Sequence, residues 1–147
     1  MGSTATVLHI DERAGTAYYA HVGDSRLYLL RQGVFRQISR DHSYVKELVA
    51  RGELSEAEAQ HHPRKNLLLR AVGIEERLHV DGDSFPLESG DRLLLATDGL
   101  TNMVDDEALA ALLGGDFTGL AERMVERALA GGGSDNITAI AIAYKPS

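Results

Sequence analysis

The run GDRLLLATDGL, from Gly90 to Leu100, carries the reading of the fold. Its centre, Arg92 to Ala96, is too continuously apolar for a strand with one face in water, so it reads as a central strand buried on both sides. That strand delivers Asp98 at its end. Asp-Gly by itself is first a turn signal. Two further runs repeat the arrangement: AHVGDSR, from Ala20 to Arg26, places Asp24 at a strand exit, and GGGSDNITAIAI, from Gly131 to Ile142, places Asp135 at a strand entry. A carboxylate at a strand end is held by a rigid ladder yet faces solvent. Hard divalent cations such as Mg²⁺ or Mn²⁺ take several such oxygens and retain water, so this spacing suits a metal site assembled from distant parts of the chain. Gly99, Gly131, Gly132 and Gly133 fit that reading, because glycine permits positive φ and close approach of backbone to a bound group.

Outward from the central strand, the pattern is mostly strands first, with helices interposed later. Thr4 to Ile10 and Thr16 to Val22 alternate apolar and β-branched residues around an Asp11 to Gly15 turn, a hairpin; Arg26 to Leu30 and Val34 to Ile38 repeat the pattern around Gln32-Gly33. These four strands are expected to form a meander. Tyr44 to Arg51 sets Val45, Leu48 and Val49 on one helical face, and Gly52 stops it. Ser55 with Glu58 is a capping-box signature for a short second helix ending before Pro63. Leu67 to Val72 is a short apolar run, and Leu78 to Phe85 reads as a strand. Asp105 to Leu113 reads as a helix with an acidic first turn suited to the positive end of its dipole. Phe117 to Ala130 reads as a longer amphipathic helix, and Ile137 to Tyr144 as the closing strand. The fold class is α+β, an antiparallel β-sandwich flanked by helices, in one domain over residues 1–147.

At 147 residues, 44% hydrophobic and 25% charged, the chain has the composition of an ordinary globular domain. It lacks the roughly 20 consecutive apolar residues of a membrane span. The first residues carry no charged and apolar blocks of a secretory signal, and a cytoplasmic location is expected. With no cysteine, disulfides and thiolate metal sites are excluded, and the six histidines do not have zinc spacing. The net charge of −7 is uneven: residues 26 to 70 are net basic and the remainder acidic. Arg26, Arg31, Arg36, Arg40, Lys46, Arg51, Arg64, Lys65 and Arg70 either steer an acidic, phosphorylated partner or form an ordinary solvated face. Nucleic-acid binding does not fit a negative chain without a basic patch interleaved with aromatic residues.

Taken in order, GDSR, RDHS (Arg40 to Ser43), HPRKN (His62 to Asn66), GDRLLLATDGL and GGSDNIT resemble the bacterial branch of the PPM family of metal-dependent protein serine/threonine phosphatases. The likeness runs from about Gly2 to Tyr144. It implies that Asp98 binds one ion of a binuclear Mg²⁺ or Mn²⁺ centre, that Asp135 is the last aspartate ligand of that centre, and that Asp24 holds a third, weaker ion. Arg26 and Asn136 match recurring supporting positions, with Gly99 and Ser134 beside the ligands. The segment from about 44 to 66 resembles the family's mobile flap. Nothing before Asp24 matches the family's phosphate-contacting arginine, early acidic ligand or bridging aspartate; Asp11 and Glu12 sit in a turn. The chain is therefore expected to be the C-terminal two-thirds of the domain with part of its catalytic centre missing.

The resemblance implies direct hydrolysis by a metal-activated water, with no protein nucleophile. Gly23-Asp24-Ser25-Arg26 indeed lacks the G-x-S-x-G spacing of a nucleophile elbow. Two functions are open: a phosphatase of phosphoserine and phosphothreonine proteins, or a non-catalytic module that recognises kinases or phosphoproteins. The expected partners are phosphorylated proteins, a serine/threonine kinase among them, and either an N-terminal complementing segment or a second copy of the chain.

Overall fold

The computed structural model describes residues 3–64 and 80–146. Strand β1 (Ala5–Asp11) pairs antiparallel with β2 (Thr16–Val22), Ala5 opposite Val22 and Asp11 opposite Thr16. The Asp11 carboxylate closes the turn, accepting the Arg13 and Ala14 amides at 3.0 and 3.1 Å. Strand β3 (Arg26–Arg31) pairs with β4 (Val34–Gln37) in the second hairpin. The two hairpins do not join into the expected meander. Instead β2 pairs with β5 (Asp81–Pro86), while β3 pairs with β6 (Arg92–Ala96), which pairs with β7 (Ala139–Ala143). The result is a sheet in the order β1-β2-β5 and a sheet in the order β4-β3-β6-β7. The physical reason is that β3 is apolar on both faces: Leu27 and Leu29 point one way and Tyr28 the other, all buried. Such a strand gains more from lying inside a layered stack than from extending a half-exposed hairpin.

Helices α1 (Tyr44–Ala50) and α2 (Glu56–Gln60) follow β4. Ser43 caps the first, and the Ser55–Glu58 capping box is formed at the second, with both reciprocal hydrogen bonds present. A one-turn helix α3 (Asp98–Thr101), which the sequence pattern did not suggest, starts directly behind β6. Asp105 caps α4 (Asp106–Gly114) by accepting the Ala108 amide at 2.8 Å. Helix α5 (Leu120–Ala130) begins three residues later than its apolar periodicity predicts, because Phe117 to Gly119 form a turn closed by the Leu120 amide on the Phe117 carbonyl. The closing strand is likewise shorter than expected, starting at Ala139. The Leu67 to Val72 run and the first residues of the Leu78 to Phe85 strand lie outside the described residues. Among the described residues, no helix is long and apolar enough to cross a membrane.

Three layers result. Leu27, Leu29 and Leu93 meet Leu8, Ile10, Tyr19 and Phe85 between the sheets, whereas Tyr28, Leu94 and Ala96 meet Leu100, Leu109, Leu113, Leu120 and Met124 of the helices. Each of these buried leucines contributes about 1.5 to 3 kcal/mol by leaving water. Among the described residues, the helices cover the outer face of the second sheet, and Val7 and Tyr18 lie exposed on the outer side of the first.

Polar groups are buried where β2 ends. His21 is 1% exposed; its Nε2 lies 3.0 Å from the Arg40 carbonyl and its Nδ1 2.8 Å from the Thr6 hydroxyl. Burial lowers its pKa below the ordinary 6.5, and the neighbouring His42 ring adds to this. The unfolded chain therefore takes up the His21 proton first, so this residue's contribution to stability is complete above pH 6.5 and is lost as the pH falls through the folded value. The expected outcome for His21→Gln is a smaller loss of stability between pH 7 and pH 5 than the native chain shows, read by urea denaturation at each pH.

Candidate metal centre

Strand β6 is gripped on both faces, and its last residues inherit that rigidity. At its end the Thr97 amide donates to the Thr138 carbonyl at 3.1 Å, and the Thr138 amide donates to Thr97 Oγ1 at 3.0 Å. This clasp carries the pairing of β6 and β7 one step beyond the sheet. Behind it the backbones approach so closely that a Cβ on Gly99 would lie 2.0 Å from the Asn136 carbonyl oxygen. Gly99 is thus required by contact, not by positive φ. The contact sets the Ser134-Asp135-Asn136 loop against the start of α3 and brings the Asp135 carboxyl within hydrogen-bonding reach of Asp98.

Asp24 arrives from the opposite direction. Only Gly23, Asp24 and Ser25 lie between β2 in one sheet and β3 in the other. The three-residue crossing leaves Asp24 half-buried at the mouth of the sandwich. Burial pushes its carboxyl up to about 6, with the charges of Asp98 and Asp41 acting in the same direction. Asp98 is likewise raised, first by burial and then by the charge of Asp135. Crowded carboxylates held by backbone geometry are what a cation relieves.

Asp24 and Asp98 open onto a cleft of about 820 Å³. One wall comes from the α1–α2 segment, with Ser43, Val45, Lys46, Glu56, Ala59, Gln60 and His61; the other comes from Thr101 to Glu107. Seven carboxylates line it (Asp24, Asp41, Glu56, Asp98, Asp105, Asp106 and Glu107) against Arg26 and Lys46. Both cations are engaged: Lys46 holds Glu56 at 2.9 Å and Arg26 holds Asp41 at 2.7 Å. Burial opposes the charge of Arg26, yet its hydrogen bonds to Asp41, with Tyr28 adding to them, hold it protonated beyond the ordinary arginine range. Of the other basic residues between 26 and 70, Arg31 pairs with Asp91 and Glu88, and Arg40 and Arg51 with Glu47. These pairs fit the solvated-face alternative for that segment.

The candidates from the sequence are thus brought together unequally. Asp24 and Asp98 share the cleft, and Asp135 touches Asp98 while remaining exposed and outside the cleft lining. Asn136 meets Gly99 through its backbone, Ser134 is exposed, and Arg26 turns toward Asp41. Among the described residues no three His, Asp or Glu side chains stand close enough to hold an ion together. The donors are nonetheless of the right chemistry for Mg²⁺ or Mn²⁺, being oxygens only and already crowded in pairs. Asp41 and His42 entered the sequence reading within the RDHS run with no part in the site assigned to them, although a charged and a titratable residue side by side, both buried here, was the available signal.

Known proteins share the sequence pattern and the fold of this chain. Residues 1–145 match the family described as Stage II sporulation protein E. The chain is 46% identical over 126 residues to the serine/threonine phosphatase stp of Listeria innocua, covering 84% of this chain and 50% of that protein. The Mycobacterium tuberculosis serine/threonine phosphatase PstP superposes with a TM-score of 0.90 at 36% identity, over 97% of this chain and 60% of that one. The catalytic domain of PstP in complex with two manganese ions gives a TM-score of 0.82 at 36% identity, over 96% and 58%. The chain spans about half the length of the curated relative it matches. Fold and relatives together define the protein phosphatases as the class this chain resembles. More specifically, the chain belongs to the bacterial branch of the PPM family of serine/threonine phosphatases.

Two substitutions test the site as built. Gly99→Ala places a methyl against the Asn136 carbonyl and should cost about 1 to 3 kcal/mol. Asp98→Asn removes one of the crowded charges and should raise the stability of the chain in EDTA by roughly 0.5 to 1 kcal/mol. Urea denaturation checks both.

Proposed function

We propose that the chain forms the C-terminal part, over a single domain spanning 1–147, of a metal-dependent phosphatase acting on phosphoserine and phosphothreonine proteins. The observation that carries this reading is the convergence of Asp24, Asp98 and Asp135 from three separate strand ends into crowded pairs beside an acidic cleft. A phosphorylated side chain cannot approach seven carboxylates and two neutralised cations without added positive charge. Asp98 and Asp135 would serve a binuclear Mg²⁺ or Mn²⁺ centre, with Asp24 holding a third, weaker ion. Bound divalent ions supply an activated water and offset charge on the phosphoryl oxygens.

The chain's own residues do the rest. Thr97 and Gly99 fix the direction of Asp98, the α1–α2 segment walls the cleft as a flap, and Arg26 is held by Asp41 instead of serving the phosphoryl group. By the family resemblance, a complementing segment would supply the bridging aspartate and the phosphate-binding arginine. The exposed Val7 and Tyr18 on the outer face of β1-β2-β5 favour that segment or a second copy of the chain as cover. A serine/threonine kinase and its substrates would be the phosphoproteins served, in the cytoplasm. A second reading, a non-catalytic module that binds kinases or phosphoproteins, is favoured by the lack of any three-ligand cluster among the described residues.

Two measurements decide between these. Titration with Mn²⁺ should show binding by the native chain that Asp98→Ala abolishes while leaving the fold intact, since a partly exposed ligand contributes little to packing. Hydrolysis of p-nitrophenyl phosphate and of a phosphothreonine peptide in Mn²⁺ should be slight for the chain alone and rise when the N-terminal half of a relative is added. Robust turnover by the chain alone, abolished in Asp98→Ala, would show that the site is complete without a partner; no Mn²⁺ binding and no turnover in either form would favour the binding module.

A further inference from the structure

We propose that Asp41 and His42 form a two-armed positioning clamp that fixes the backbone on either side of Asp24, His42 acting through Gly23 and Asp41 through Arg26. The inference rests on the reading of Asp24 as a ligand of the cleft.

The first arm is reciprocal. The Gly23 amide donates to His42 Nδ1 at 3.0 Å, and the His42 amide donates to the Gly23 carbonyl at 2.8 Å, so both polar groups of the Gly23 residue end on His42. Gly23 sits at φ +109, and a Cβ there would come within 2.3 Å of Thr4 Cγ2. Only glycine can take this conformation and pass this close to Thr4, the residue before β1. Because Nδ1 accepts from an amide, Nε2 carries the ring proton and donates it to Asp81 Oδ2 at 2.6 Å. Asp81 thereby holds the imidazole in the tautomer and orientation that Gly23 needs, the same logic by which outer partners orient a ligating histidine.

The second arm is a planar fork. Arg26 Nε and Nη2 meet the two Asp41 oxygens at 3.0 and 2.7 Å, and Gln37 Nε2 donates to Asp41 Oδ1 at 2.9 Å. Asp41 and His42 are 8% and 5% exposed, so the residue at the centre of each arm is shielded from bulk water. Asp24 therefore lies on a three-residue bridge whose first residue and following strand are each tied to one dipeptide. That bracing has work to do, because Asp98 and Asp41 both repel the Asp24 carboxylate. An unbraced crossing would let the side chain swing toward solvent.

Two variants of the full chain separate the clamp from ordinary packing. His42→Asn keeps an acceptor, Oδ1, where Nδ1 stood and loses the reach to Asp81; His42→Gln keeps an N–H where Nε2 stood and loses the acceptor for Gly23. Asp91→Asn, which weakens the Arg31–Asp91 pair, serves as a control for general destabilisation. Amide hydrogen exchange at Gly23 and Asp24, followed by NMR in EDTA, should quicken about tenfold or more in His42→Gln beyond the change seen in the control, and stay within about threefold of native in His42→Asn. Mn²⁺ affinity should fall in the same order, about tenfold or more for Gln and within about threefold for Asn. Exchange that follows global stability alike in all three variants, or protection kept by Gln and lost by Asn, would overturn the clamp. If the native chain binds no Mn²⁺, the metal reading of Asp24 fails, while the exchange data still decide whether the clamp exists.

Discussion

The double-sided burial of β6 and its neighbour β3 is the constraint on which the rest of the structure depends. Leu93 faces the sandwich and Leu94 the helices, and both are fully buried, as are Leu27, Tyr28 and Leu29 beside them. Truncating any one of the leucines would cost about 2 to 5 kcal/mol, a large part of the stability of a domain this size. A strand held that firmly cannot slip in register, because a slip by one residue would exchange the two faces. The position of Asp98 at its end follows from this, as does the Thr97–Thr138 clasp that draws the Asp135 loop alongside.

The second consequence is electrostatic. Strand ends that converge at one rim bring their carboxylates with them, and the fold places few free cations there in return. Arg26 and Lys46 are each spent on a carboxylate of the same cleft. The cleft is therefore unfavourable to its own charges, and more so to a phosphate, until positive charge is added. The rim is where local rules are broken, because carboxylates crowd one another there. The chain belongs to the PPM family, and the catalytic domain of PstP, which shares the fold, is known in complex with two manganese ions.

The loop that carries Asp41 and His42 links this rim to the wall of the cleft. It lies between β4 and α1, so the residues that brace the Asp24 crossing also root the segment that forms one side of the cleft. Their burial explains why they hold position: a buried ion pair with bidentate geometry and an imidazole with both nitrogens engaged are costly to break.

Local signals in the sequence determined a good deal. The uninterrupted apolar run of Arg92 to Ala96 gave a central strand, alternation gave both hairpins, and the Ser55–Glu58 and Asp105 caps marked helix starts, because each of these depends on neighbours within a few residues. The three aspartates were legible as candidates for the same reason: each is flanked by its own strand and glycines. What only the tertiary structure decided is partnership. Alternation says that a strand has two faces but not which strand lies beside it, so the separation of the hairpins into different sheets at Gly23 to Ser25 was invisible. The same is true of Gly99, whose need arises from a backbone atom of Asn136, and of Arg26, whose guanidinium is claimed by Asp41 within the cleft. Those contacts join residues far apart in the chain, and their energies exist only once the layers have packed.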